Sequence, residues 1–283
     1  MRLMLLLLSL GAVAGSAIAQ TDARPGSSDR AFSPDLNAPR PIEASANLWI
    51  EQLTWMEVRD AIRSGKSTVI IPTGGIEQNG PYLVTGKHNV ILRATAEAVA
   101  RKLGDALVAP IVPFVPEGAI EPPSDAMLYP GTIGVEAETY KALLRDIARS
   151  LKAHGFKHIV FIGDSGGNQR GMQEVADELN PLWAASGVRA HYVAEYYDWP
   201  GRQQWLAQRG YREQDEGIHD ELSAEAIMLA VDPDSVRMRE RLKAGKFSIN
   251  GVELAPAART VALGRALVDH IATVTVEAIR KRR

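Results

Sequence analysis

The sequence predicts an α/β protein: a three-layer α/β/α sandwich around a mostly parallel central sheet. Three observations carry this. Three short runs, at 68–71, 106–112 and 158–162, are apolar almost throughout, as strands covered on both faces are, and 188–194 reads as a fourth strand. Amphipathic stretches of helical period separate them, and strands alternating with helices build parallel sheets. Glycine-rich turns follow the first and third runs, where such sheets bind ligands.

The elements follow in order. Residues 53–64 read as a helix stopped by Gly65. The first strand, 68–71, is followed by a helix over 90–103 that Gly104 closes. The second strand, 106–112, is broken by Pro110 and leads into a loop, 113–134, that holds five more prolines. A loop of that length inside a folded domain is usually functional or disordered. Residues 135–154 form a helix with Tyr140, Leu143, Leu144, Ile147 and Leu151 on one stripe, ended by Gly155. After the third strand comes the turn Gly163-Asp-Ser-Gly-Gly-Asn168, then a helix over 169–179 with Met172, Val175, Ala176 and Leu179 inward. The fourth strand and helices at 222–231 and 261–279 complete the chain; in the last, Leu267, Ile271, Val274 and Ala278 line up.

Residues 1–19 read as a secretory signal peptide. Arg2 is the positive start, 3–10 is an apolar run too short to span a bilayer comfortably, and Ala17-Ile18-Ala19 is a small-x-small cleavage site. The expected location is therefore periplasmic or secreted. Residues 20–47, rich in Pro, Ser, Asp and Asn, read as a flexible leader, and 48–283 as one domain. A net charge of -2 with scattered basic residues gives no surface for nucleic acid or for stable membrane association. The absence of cysteine excludes disulfides and thiolate metal sites.

The chemistry concentrates at 71–88. Glu77 stands in a glycine-rich turn just past the first strand, and His88 follows eleven residues later. A carboxylate and an imidazole there can bind a transition metal, and a metal can activate water. Taken alone, Glu77 better fits a helix cap or a solvent position, and His88 a partly exposed helix start. Asp164, in the turn after the third strand, suits a metal or an orienting role. Ser165 matches a bare G-x-S-x-G, so a serine nucleophile is chemically open; so is a plain glycine turn with Ser165 and Asn168 capping the next helix. His219 precedes a helix with Asp220 and Glu221 and could be a base, a ligand or a loop histidine. His154, His158, His191 and His270 lack clustered carboxylates and read as structural.

These pieces together resemble the creatininase (creatinine amidohydrolase) family. Gly74-Gly-Ile-Glu-Gln-Asn-Gly-Pro-Tyr-Leu resembles its G-x-x-E-Q-H-G-P-H-L, Tyr129-Pro-Gly-Thr132 its F-P-G-T, and Gly163-Asp-Ser-Gly-Gly-Asn168 its N-G-H-G-G-N. Ile218-His219, followed by a helix with Met228-Leu-Ala230, resembles its H-A-G-E-x-E-T-S segment. The resemblance covers about residues 48–236. It implies a three-layer α/β fold and homo-oligomers. It also implies one or two divalent ions, often zinc or manganese, and hydrolysis of small-molecule amides, cyclic ones included, by metal-activated water. The family's metal-binding Glu is kept as Glu77 and its catalytic His as His219. Asn79 stands for a ligand His, His88 for the bridging Asp, Ser165 for a second His with Asp164 beside it, and Ala224 for a later Glu with Glu225 adjacent. The carboxylate near Gly167 is missing.

The resulting expectation is an exported amidohydrolase with one divalent ion (Zn, Mn or Fe) per subunit, held by Glu77, His88 and Asp164. His219 would carry the proton to the departing nitrogen, and Ser165, Asn168 and the turn amides would hold the oxyanion. The changed ligands argue against creatinine itself as substrate. Two rivals remain: a metal-free serine hydrolase using Ser165 and His219, and a non-catalytic binding protein.

Overall fold

Strand β1 (Thr68–Thr73) occupies the middle of the sheet, and all six of its side chains are buried. In a computed structural model that describes residues 34–283, it is flanked by β2 (Ala106–Val108) and β3 (His158–Gly163), with β4 (Arg189–Tyr192) outermost. The order is β2-β1-β3-β4 and every pairing is parallel.

Period-two alternation sends successive side chains to opposite faces. Val69, Ile71, Leu107, Ile159 and Phe161 enter one apolar cluster with residues of α3 (Ala137–Ala153) and α4 (Asn168–Trp183). Ile70, Val108, Val160 and Ile162 enter the other, under α2 (Lys87–Leu103), α6 (Leu222–Val231) and α8 (Ala257–Arg282). The result is the expected α/β/α sandwich. Helix α1 (Trp55–Arg63) packs on the α3/α4 face through Val58, Ala61 and Ile62. Its start is fixed by a capping box: Thr54 Oγ1 accepts from Glu57 N–H while Glu57 accepts from Thr54 N–H.

The topology places the site. The chain leaves β1 for β2 on one side, then crosses back over β1 to reach β3 and continues outward to β4. The order reverses between β1 and β3, so their carboxyl ends open a crevice. The loops that leave those ends carry Glu77 and Asp164.

Several boundaries differ from the sequence reading. Helix α2 begins at Lys87, three residues early, which puts His88 inside its first turn. Strand β2 stops at Val108, although single bridges from Thr73 to Val112 and from Val115 to Gly134 extend the pairing into the loop. Helices α5 (Trp199–Ala207) and α7 (Met238–Ala244) and the hairpin β5 (Ser248–Ile249)–β6 (Val252–Glu253) are additions. Residues 43–283 form one unit by internal contacts; 34–42 belong to another, with a turn closed by Ala38 N–H on the Asp35 carbonyl at 3.0 Å. The signal-peptide reading lies outside the described residues. Among those described, no helix is long and apolar enough to cross a membrane.

Candidate active site

Glu77 is presented by a loop tied at three points. Its N–H donates to Thr85 O at 3.0 Å, the Ile76 carbonyl accepts from Ile133 N–H at 2.9 Å, and Gln78 N–H donates to Thr132 Oγ1 at 3.2 Å. The Tyr129-Pro-Gly-Thr132 segment thus braces the turn. Site side chains crowd two of its glycines. A Cβ on Gly74 would lie 1.8 Å from Asn89 Oδ1, and one on Gly75 2.2 Å from Glu117 Oε1.

His88 projects from the first turn of α2 between two carboxylates. Its Nε2 is 2.6 Å from Glu77 Oε1, and its Nδ1 is 2.9 Å from Asp164 Oδ2. All three groups are buried. Glu77, His88 and Asp164 therefore meet, but in a row. Asp164 lies on the far nitrogen of the ring, so the three do not surround one point. Among the described residues no three His, Asp or Glu side chains already do. The expected three-ligand cage is corrected accordingly: one imidazole cannot turn both nitrogens to the same ion. Asp164 is itself anchored, with Oδ1 accepting from Tyr196 OH at 3.4 Å and ion-paired with Arg202 Nη2 at 3.8 Å.

The charges are interlocked. Burial disfavours charge on both Glu77 and His88, but their contact outweighs it. Glu77 is held below the usual carboxylate range, chiefly by the His88 hydrogen bond. His88 is raised, by hydrogen bonds to Asp164 and Glu77. Glu117, which the sequence reading missed, packs beside Glu77. Burial, then the Glu77 charge, push it up to about 8, so it is protonated at neutral pH. Its Oε1 is buried without a hydrogen-bond partner. Nothing in the proline-rich loop marked Glu117; only the fold brings it to the end of β1.

His219 reaches the same carboxylate from the opposite wall, its Nε2 3.9 Å from Glu77 Oε1. Its Nδ1 lies 3.0 Å from the Gln78 carbonyl and 3.1 Å from Gln78 Nε2. With Nδ1–H donated to that carbonyl, Nε2 is left as the acceptor on the Glu77 side. The residue is half-exposed and has φ of 61°.

Ser165 lines the same cavity, and its Oγ accepts from Gly167 N–H at 3.4 Å. Among the described residues it has no histidine partner, so the geometry does not build a serine–histidine pair. Asn168 does not fit the oxyanion role. Its amide NH2 donates to Thr73 O, Thr73 Oγ1 and Gly74 O at 2.8–2.9 Å, fastening α4 to the end of β1. No donor is left for an oxyanion. Asn79 likewise turns back, donating to the Glu77 carbonyl at 2.8 Å. Of the remaining histidines, His158 and His191 contact each other at 3.1 Å and His270 stacks on Trp205.

The cavity over these groups holds about 780 Å³. Its floor includes Glu77, His88, Glu117 and Asp164; Tyr197 and Trp199 form part of its wall. That is room for a small-molecule ligand.

Known proteins resemble this chain in sequence and in fold. The family model for creatininase, described as creatinine amidohydrolase, matches residues 51–279. The creatinine amidohydrolase of Pseudomonas putida is 25% identical over 197 residues, covering 68% of this chain and 75% of its own length. A creatininase point mutant of type II superposes with a TM-score of 0.63 at 21% identity, covering 83% of this chain and 98% of its own. A structure titled creatininase Mn gives 0.59 at 22% identity, covering 83% and 97%. With fold and matched span in accord, the chain belongs to the creatininase family of amidohydrolases.

Proposed function

We propose that this protein hydrolyses a C–N amide bond of a small molecule with a divalent metal ion, zinc or manganese by preference, at the Glu77–His88 contact. The observation that carries the reading is the Asp164–His88–Glu77 row. A metal-binding histidine usually gives its other N–H to a carboxylate, which fixes the tautomer and makes the free nitrogen a better donor. Asp164 is placed to do this for His88.

The donor set suits such an ion. Two buried carboxylates, Glu77 and Glu117, are crowded together, and Glu117 avoids like-charge repulsion only by keeping its proton. A cation relieves that repulsion. Mixed carboxylate and imidazole donors match zinc and manganese. Glu77, His88 Nε2 and Glu117 would hold the ion, with Asp164 behind His88. When bound, it supplies Lewis-acid polarisation of a carbonyl and a lowered pKa for water.

The chain's own residues do the rest. Glu77 binds and orients. His219, with Nδ1–H on Gln78, presents Nε2 to carry a proton to the departing nitrogen. The Ser165-Gly166-Gly167 turn, at the N-terminus of α4, offers the Ser165 hydroxyl and the positive end of the helix dipole to a developing oxyanion. Tyr197 and Trp199 limit the cavity and help to exclude water. We further assign the protein to the periplasm or the exterior, on the strength of 1–19, and to a homo-oligomer, on the family's habit.

Glu77→Ala and Ser165→Ala separate the readings in a screen of small amides and cyclic amides. Glu77→Ala is expected to abolish turnover. Ser165→Ala is expected to lower it by about 10- to 100-fold, as loss of one oxyanion donor does. Complete loss in Ser165→Ala with activity kept in Glu77→Ala would replace this mechanism with a serine hydrolase.

A further inference from the structure

A second buried acid pair stands behind the His219 loop, and the chemistry above does not use it. Asp220 and Glu225 are both buried, the latter fully. Asp220 Oδ1 accepts from Glu221 N–H at 2.7 Å, and its carbonyl accepts from Asn250 Nδ2 at 2.9 Å. Asp220 Oδ2 and Glu225 Oε2 are both buried and have no donor from elsewhere. The two carboxyls lie close enough to act on each other electrostatically. Facing carboxyls cannot both ionise out of water, so one proton is shared.

Arg241 decides which keeps it. Its Nη1 donates to Glu225 Oε1 at 2.5 Å. The other bonds of this buried guanidinium go to Lys246 O at 3.0 Å, Ser248 O at 2.9 Å and Val236 O at 3.3 Å. It also lies over the Tyr82 ring at 4.2 Å. Burial raises the Glu225 carboxyl as well, but the Arg241 guanidinium opposes it, so Glu225 is the partner that gives up its proton first. Burial, then the Glu225 charge, push Asp220 up to about 9, and it keeps the proton.

The next residue back is His219, held at positive φ, where a non-glycine residue sits only if its surroundings hold it. Its own side chain reaches Gln78 and, at 3.9 Å, Glu77. The anchor lies one residue on. We propose that Asp220, Glu225 and Arg241 are positioning residues for His219, pinning 218–221 to α6 and, through Arg241, to strand β5 and Tyr82 of the Glu77 loop. This rests on His219 as the proton carrier. The other charged groups toward Asp220 are Lys87 of α2 and, across Asn250, Glu213; Arg241 pairs with Glu225 and has no hydrogen bond to Asp220 among the described residues.

The test reads the histidine directly. In side-chain NMR, Asp220→Ala is expected to shift the His219 ring signals toward those of a free histidine, and amide exchange over 218–221 to speed by about tenfold or more. Asp220→Asn, which still donates to Glu225 but cannot ionise, is expected to keep both as in the wild type. A group whose folded pKa lies above its unfolded value loses its stabilising contribution as pH rises between the two. Asp220 therefore stabilises most below its ordinary 3.8 and loses that advantage by about 9. The Tm difference between Asp220→Asn and wild type should thus move in favour of Asn as pH is raised from about 6 to 9. Unchanged His219 signals in Asp220→Ala, or parallel Tm–pH curves for Asn and wild type, would overturn the proposal. Neither readout needs substrate or metal, so failure of the amidohydrolase reading would show separately, as absent turnover with the NMR results intact.

Discussion

His88 is the residue on which the site turns. Where the family pattern has a carboxylate, this chain puts an imidazole between two of them. An aspartate there would place three buried carboxylates in a row, which needs cations to be tolerated. The imidazole provides one internally, as the raised His88 and lowered Glu77 reflect. Asp164 then matters through His88 rather than by direct ligation. Asp164→Asn is expected to weaken binding of zinc or manganese by about 10- to 100-fold, as outer-carboxylate losses do, without unfolding the protein. Metal-binding calorimetry with circular dichroism as the fold control checks this.

At the scale of elements, helix packing fixes where the site groups stand. Helices α6 and α8 touch backbone to backbone at Gly264, where an added Cβ would lie 1.9 Å from the Ala226 carbonyl oxygen. Alanine is the better helix former by about 1 kcal/mol. Overpacking of a rigid backbone contact costs about 1–3 kcal/mol or more, so the clash wins. Gly264→Ala is expected to lower stability in urea unfolding and to disturb α6, which carries Glu225. A stabilised Gly264→Ala would show that this contact is looser than described.

The elements most readable in sequence were those whose burial leaves a pattern: the four strands and helices α2, α3, α4, α6 and α8. What escaped was set by tertiary context. Helix α2 has Gly86 before it and no side-chain cap, so nothing announced that His88 lies within its first turn. Helix α5 has little amphipathic contrast, and α7 is only seven residues long. Glu77, His88 and Asp164 were legible as a group because two follow strand ends. Their linear arrangement was not, because spacing says nothing of which ring nitrogen meets which oxygen. Asn168 looked like an oxyanion donor because its side chain's commitment to Thr73 and Gly74 is a contact 94 and 95 residues away.

For the whole molecule, the buried acids predict a stability maximum in the mildly acidic range. Glu77 is lowered, so its contribution is present above the ordinary carboxylate pKa and is lost as pH falls through its folded value. Glu117 and Asp220 are raised, to about 8 and about 9, so theirs decline as pH rises toward those values. Without metal, Tm is expected to peak near about pH 5 and to fall on both sides. Bound metal should flatten the alkaline side, because it holds Glu117 ionised. Differential scanning calorimetry across pH, with and without zinc, measures both effects.

The most direct measurement is calorimetric titration of chelator-treated wild type and Glu77→Gln with Zn²⁺ or Mn²⁺, repeated in two buffers of different ionisation enthalpy. The wild type should bind one ion per chain with micromolar or better affinity and release protons, as protonated ligands must. Glu77→Gln should lose that binding. A wild-type protein that takes up no ion, or a Glu77→Gln variant that binds as tightly, would contradict the account.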